Sequence, residues 1–291
     1  MTAKRRVWID TDPAVTSGNR EVDDAFALIQ AMRSPELDIV GISSVCGNAG
    51  GAHAYAMAQE IVTRAGRSDI AVYQGCSGPG DRSDGADAIA ALSTELAQAP
   101  LTILALGPLS TIAEVLIAAP ELAAQIDEIV FVGGRRPGLK FLAAPDQEKP
   151  FRDFNFEVDV AATKVVLASG CALTLAGWET SRAMWLTPAN LDTLATSGDP
   201  GNVWLAKSAR PWMKRWQEGL ATPGFTPFDT LAVGWLFAPH LFVTQTCNAA
   251  IDTSELVPQL VATPGEGAIT YLRDVDNAAF AQNLMVRLMT F

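Results

Sequence analysis

The chain has 291 residues, 49% of them hydrophobic and 18% charged, a globular balance that excludes disordered and low-complexity classes. Lys and Arg total 21 against 32 Asp and Glu, so the formal net charge of −11 repels phosphate backbones and argues against a nucleic-acid partner. The four cysteines, Cys46, Cys76, Cys171 and Cys247, form no C-x-x-C pair, and the two histidines, His53 and His240, leave little for an imidazole metal site. The start, MTAKRRVWID, has no apolar signal core, and no apolar run approaches the ~18 residues of a membrane span. The expectation is a cytoplasmic protein with no membrane partner.

In chain order, Val7-Trp8-Ile9 reads as a buried strand, followed by a loop and a helix from Ala25 to about Ser34-Pro35. Asp38–Ile42 is a second strand and Ala52–Ala65 a second helix. Ile70–Tyr73 with a helix around 86–97, and Leu101–Leu106 with a helix over 109–118, repeat the unit. Ile129–Val132 precedes a long loop and a helix over 161–168, and Ala172–Ala176 closes the series. Pro188–Ala238 turns helical and carries Trp204, Trp212, Trp216 and Trp235. Leu241–Arg273 reads as short strands with turns at Pro264-Gly265 and Glu266-Gly267, and 278–289 as a closing helix. No repeat or linker breaks the chain, so residues 1–291 are read as a single domain.

Apolar strands alternating with helices predict an α/β fold: a mainly parallel central sheet flanked by helices, Rossmann-like, with a helical elaboration after residue 187. Such sheets bind ligands at the carboxyl ends of their strands. That rule places Asp10, Asp12, Asn48, Gly107, Gly133 and Gly177 along one edge.

The chemistry concentrates after the first strand, in Asp10-Thr11-Asp12-Pro13 and Asp23-Asp24. Singly, Asp23 or Asp24 serves as a helix cap and Asp12-Pro13 as turn chemistry. Together, four close carboxylates call for a cation or a hydroxylated ligand to offset their repulsion. An oxygen-only donor set suits Ca²⁺ or Mg²⁺. An EF-hand is excluded, because Ala14 and Val15 stand where its loop needs Asp or Asn and Gly.

These segments resemble the calcium-binding signature of the inosine-uridine-preferring nucleoside hydrolases. Further matches follow in order: Val45-Cys46-Gly47-Asn48, Leu106-Gly107-Pro108-Leu109-Ser110-Thr111-Ile112-Ala113, Ile129–Gly134, Asp153-Phe154-Asn155, and Phe228-Asp229 before Leu231-Ala232-Val233. The resemblance implies a nucleoside-hydrolase-type fold and an N-ribohydrolase that cleaves ribonucleosides into base and ribose. By the same resemblance, Asp12, Asp24, Asp229 and the Leu106 carbonyl ligate Ca²⁺, with Asp10 supporting them from behind. Asp23, Asn48, Asp153, Asn155 and Asp229 hold the sugar. Water at the cation attacks the anomeric carbon with Asp12 as base, and the carboxylates stabilise an oxocarbenium-like transition state. Relatives of this kind imply a homodimer or homotetramer, and the tryptophan-rich segment adds to that expectation.

Three departures stand out. The stretch from Ala14 to Val22, including Ser17-Gly18-Asn19-Arg20-Glu21, is longer than the family's, and is expected to bulge into solvent while Val22 anchors the helix. Asp153 replaces a glutamate. Phe228 occupies a position where some members carry a histidine, so Phe228, with Trp178 as a second wall, is expected to stack the base, with a lean towards purines and no histidine acid.

Rival classes fit less well. Neither a Gly-x-Gly-x-x-Gly nor a P-loop follows the first strand, and Gly75-Cys76-Ser77-Gly78-Pro79 is no nucleophile elbow. In a haloacid-dehalogenase-like phosphatase, Asp23-Asp24 would not lie so near Asp12. A non-catalytic nucleoside- or ribose-binding protein on the same fold is the remaining alternative.

Overall fold

The computed structural model of the chain describes residues 4–15, 21–81, 83–182 and 184–290. Strand β1 (Arg5–Thr11) is buried from Val7 to Thr11, because its apolar run is covered on both faces of the sheet. Helix α1 (Asp23–Met32) follows, buried along its whole length. The repeating units are then β2 (Leu37–Ser44), α2 (Gly51–Arg64), β3 (Val72–Gln74), α3 (Ala86–Gln98), β4 (Leu101–Ala105), α4 (Ser110–Ala118) and β5 (Ile126–Phe131). The long connection after β5 carries an isolated antiparallel bridge between Phe141 and Phe151. It leads into α5 (Phe154–Val158), α6 (Val160–Ala168) and β6 (Leu173–Leu175). Asp159 caps α6 by accepting from the Ala162 N–H at 2.9 Å.

The helical segment comprises α7 (Trp178–Ser181), α8 (Pro188–Ala195), α9 (Pro200–Leu220) and α10 (Phe228–Phe237). The end is β7 (Phe242–Asp252), β8 (Gln259–Pro264), β9 (Ile269–Val275) and α11 (Asn277–Leu288). The expected α/β sheet is present, and the elements fall within a few residues of their sequence positions.

The nine strands form one sheet in the order β3-β2-β1-β4-β5-β6-β9-β7-β8. From β3 through β6 to β9 every pairing is parallel, whereas β7 runs antiparallel to both β9 and β8. β9 therefore enters the sheet between β6 and β7, a pairing that short strands and turns in the sequence do not reveal. Side chains of β1 alternate between the two cores. Val7 and Ile9 pack with α1, α10 and α11, while Trp8 packs with α3 and α4. Trp8 also donates its indole N–H to Ser43 Oγ at 2.8 Å.

The strand order reverses at β1, which pairs with β2 on one side and β4 on the other. The crevice at such a switch point is where a doubly wound sheet binds its ligand. Asp10 and Thr11 end β1 there, and Leu106-Gly107 follows β4 alongside. Among the described residues, no helix is long and apolar enough to cross a membrane.

Candidate active site

Two helix N-termini complete what β1 begins. Asp23 and Asp24 occupy the first turn of α1, and Asp229 the first turn of α10, the helix that packs against α1. Neither helix has a side-chain cap, so the aspartates are not serving as caps. Each helix directs the positive end of its dipole at the cluster, which offsets part of the carboxylate repulsion. Carboxylate oxygens of Asp23, Asp24 and Asp229 lie within 4.8 Å of one another.

Asp12 sits beside this trio, 1% exposed. Its Oδ2 accepts from the Asn48 backbone N–H at 2.6 Å, while its buried Oδ1 has no hydrogen-bond partner. Both Asp23 carboxylate oxygens are likewise buried and unpartnered. Two glycines make room for Asp12. A Cβ on Gly47 would collide with its Oδ2, and one on Gly107 would stand 3.1 Å from its Oδ1. Asp24 Oδ1 accepts from the Thr11 hydroxyl and from the Asp12 N–H at 3.1 Å. Asp10 accepts from the Ser43 hydroxyl and lies wholly buried behind Asp12.

Burial sets the electrostatics. It pushes Asp10 up to about 7, against the hydrogen bonds of Ser43 and Thr111. It pushes Asp24 up to about 6, held down by Thr11 and by backbone N–H groups. Asp12, Asp23 and Asp229 stand well above the usual carboxylate range, first through burial and then through neighbouring carboxylates. An arrangement in which buried like charges raise one another and leave oxygens unpartnered is incomplete without an external partner. An all-oxygen donor set of this kind fits a hard divalent cation.

Above the carboxylates opens a cavity of about 380 Å³. Glu21, Asp23, Asn48, Leu106, Asp153, Asn155, Phe228 and Asp229 all line it. Asn155 Nδ2 donates to the Leu106 carbonyl at 2.6 Å and to Val132 O at 3.1 Å, leaving its amide oxygen for a ligand. Asp153 Oδ2 accepts from the Gly134 N–H at 3.0 Å. Burial pushes Asp153 up to about 7, opposed by the Arg135 guanidinium.

The outer wall is aromatic. Trp178 stacks on Phe141 with centroids 5.3 Å apart and meets Phe228 at 5.2 Å. Phe151 joins Trp178 to Trp216, at 5.4 and 5.5 Å. The indole N–H of Trp178 is buried without a partner. Neither His53 nor His240 is among the lining residues.

Asp12, Asp23, Asp24, Asn48, Leu106, Asp153, Asn155, Phe228 and Asp229 thus gather at one end of the sheet, with Asp10 beneath. One difference concerns the trio, which includes Asp23 where the family resemblance implies Asp12 as a ligand. Other residues escaped sequence reasoning. Phe141 and Phe151 lie in the long connection after β5, without periodicity to mark them. Trp212 and Trp216 are spaced i, i+4 on α9, a pattern that also fits an interface. Both line the cavity, and Trp204, Trp212 and Trp235 pack, partly buried, against the core. Glu21 corrects the expected solvent bulge at its carboxyl end: it lines the cavity, and Val22, 1% exposed, anchors α1 as expected. Residues 16–20 of that stretch lie outside the described residues.

Solved structures of nucleoside hydrolases share this architecture. The purine-preferring ribonucleoside hydrolase from Gardnerella vaginalis superposes with a TM-score of 0.85 at 20% identity, over 98% of each chain. The plant nucleoside hydrolase PpNRh1 superposes at 0.82 and 20% identity, over 99% of this chain and 100% of its own. In sequence, the non-specific ribonucleoside hydrolase RihC of Salmonella paratyphi B is 28% identical over 280 residues, 87% of this chain and 85% of its own. The profile of the inosine-uridine preferring nucleoside hydrolases matches residues 7–282, and the chain belongs to that family. It is an enzyme, a nucleoside hydrolase.

Proposed function

We propose that this nucleoside hydrolase cleaves the N-glycosidic bond of ribonucleosides, giving free base and ribose, with Ca²⁺ as resident cation. The observation that carries the reading is the placement of unpartnered, buried carboxylate oxygens on Asp12 and Asp23 beneath an aromatic-walled cavity. Asp12, Asp24, Asp229 and the Leu106 carbonyl would hold the cation, with the second lone pair of Leu106 O free beside its Asn155 bond. When bound, calcium would lower the pKa of a water and take up sugar hydroxyls.

The chain's own groups do the rest. Asp12, fixed through Oδ2 by the Asn48 N–H, accepts a proton from the attacking water at its free Oδ1. Asp23, Asn48, Asp153, Asn155 and Asp229 receive or donate hydrogen bonds to the ribose, which fixes the anomeric carbon relative to the base. As the bond to the base breaks, the sugar gains positive charge, and the surrounding carboxylates stabilise it. Phe228 and Trp178 stack on the nucleobase, and a purine offers them more ring than a pyrimidine, so purine ribonucleosides are the preferred class. With no histidine on the described wall, leaving-group departure proceeds without a histidine acid.

The test is release of ribose from a panel of purine and pyrimidine ribonucleosides and their 2′-deoxy analogues, with added Ca²⁺. Rates on ribonucleosides should exceed those on deoxy analogues by up to ~10⁴-fold, because the deoxy sugar leaves buried polar groups unpaired. Tight nucleoside binding without any ribose release would overturn the catalytic reading in favour of a binding protein.

A further inference from the structure

We infer that Glu21 is a further sugar-binding residue of this site, its carboxylate joining that of Asp23 to receive the hydroxyl protons of the ribose cis-diol. The inference rests on the ribonucleoside reading above and adds a residue to it. Glu21 precedes α1 by two positions and comes from the stretch that lengthens this chain's first loop. Val22 lies buried behind it, and the Val22 carbonyl accepts from the Ala25 N–H at 3.1 Å, so the chain is pinned where Glu21 turns into the cavity.

The Glu21 carboxyl meets the Asp23 carboxyl and the side-chain amide of Asn48. Facing carboxyl groups share at most one proton between them, so acceptor lone pairs are left over. Asp23 shows the deficit directly, with both oxygens buried and without a hydrogen-bond partner. Closing it takes donors from outside the protein. A vicinal diol supplies two O–H donors on adjacent carbons, one for each carboxylate.

A cation would be the other candidate for Glu21, and the geometry disfavours it. Among the described residues, the carboxylates whose oxygens converge are Asp23, Asp24 and Asp229. Glu21 stands outside that trio and, unlike Asp12, lines the cavity beside Asn48. Asp23 then lies beside the proposed ligands Asp24 and Asp229 and faces the diol with Glu21.

The test compares the full chain with its Glu21→Gln and Glu21→Ala variants on inosine, 2′-deoxyinosine and 3′-deoxyinosine, and measures Ca²⁺ affinity by titration calorimetry. Glu21→Gln should raise KM for inosine roughly 10–100-fold, the loss expected when a charge-assisted hydrogen bond is weakened or removed. Its Ca²⁺ affinity should stay within about threefold of wild type. The KM penalty should vanish on the deoxy analogue that lacks the hydroxyl Glu21 receives. An unchanged KM on inosine overturns the inference, as does an equal penalty on all three nucleosides or a tenfold loss of Ca²⁺ affinity. If wild type hydrolyses nothing, the ribonucleoside reading fails on its own account. D-ribose titrated into the calcium-loaded proteins then decides Glu21 separately: weaker binding by Glu21→Gln upholds its sugar contact, and equal binding removes it.

Discussion

Replacing Asp12 by asparagine should separate catalysis from stability in opposite directions. The substitution keeps shape and preserves an acceptor for the Asn48 N–H, now a 2.6 Å bond to Oδ2. It removes the free carboxylate oxygen proposed to accept the proton, so kcat on the best ribonucleoside should fall ~10²–10⁴-fold. That is about 3–6 kcal/mol of barrier at ~1.4 kcal/mol per decade. The cation-free protein should respond the other way. Asp12 is pushed up by burial, and then by Asp24, Glu21 and Asp10, so its charge opposes folding when no cation is bound. A like-charge pair about 4 Å apart costs ~1–4 kcal/mol between fully aqueous and protein-surface screening. Relief of each 1 kcal/mol of that repulsion should raise Tm by about 2 °C in a chain of this length, measured in EDTA at pH 8. Added Ca²⁺ should stabilise wild type more than Asp12→Asn, since a ligand that binds only the folded state stabilises by its affinity. Near wild-type kcat would refute the base assignment, and a fall in Tm in EDTA would refute the claim that Asp12 is destabilising without its partner.

Other outcomes follow from the same geometry. Asp24→Ala should abolish stoichiometric calcium in elemental analysis of the purified protein, and equal calcium in variant and wild type would exclude the site as described. Asp153, about 7 in the fold against an ordinary 3.8, keeps its proton on folding while the unfolded chain loses it. Its contribution to stability is therefore present below about pH 4 and is lost as pH rises to about 7. In EDTA, Asp153→Asn should flatten that part of the Tm–pH curve, and an unchanged slope would contradict the burial argument. With no histidine acid on the described wall, p-nitrophenyl riboside should react much faster than inosine; comparable rates would reveal a general acid among the lining groups. Assembly into a homodimer or homotetramer, proposed from the family relationship, predicts a mass well above one chain in light scattering at micromolar concentration, and a monomer would refute it.

What the sequence determined by itself is local or set by chain direction. Val7-Trp8-Ile9 is apolar on both faces, so it reads as a strand covered twice, and Asp10 and Asp12 then fall at its carboxyl end whatever the rest of the sheet does. Asp23 and Asp24 sit at the head of an apolar helical run, which places them in the first turn of α1. Asp229 has the same signature ahead of Leu231-Ala232-Val233. That α10 lies against α1, bringing Asp229 to Asp23 and Asp24 across two hundred residues of chain, is a packing result with no local signal. The entry of β9 between β6 and β7 is another, because a strand's neighbours are chosen by the whole sheet's edges. The aromatic wall shows the limit most plainly. Phe141 and Phe151 share the connection after β5 while Trp178, Trp216 and Phe228 come from three helices, and of the five only Phe228 and Trp178 read in sequence as a base wall. Glu21 reads as a solvated loop charge, and only the burial of Val22 beside it turns its carboxylate into the cavity. Backbone periodicity depends on neighbours a few residues away and is written in the chain, whereas a cavity is the space left between distant elements and exists only once they pack.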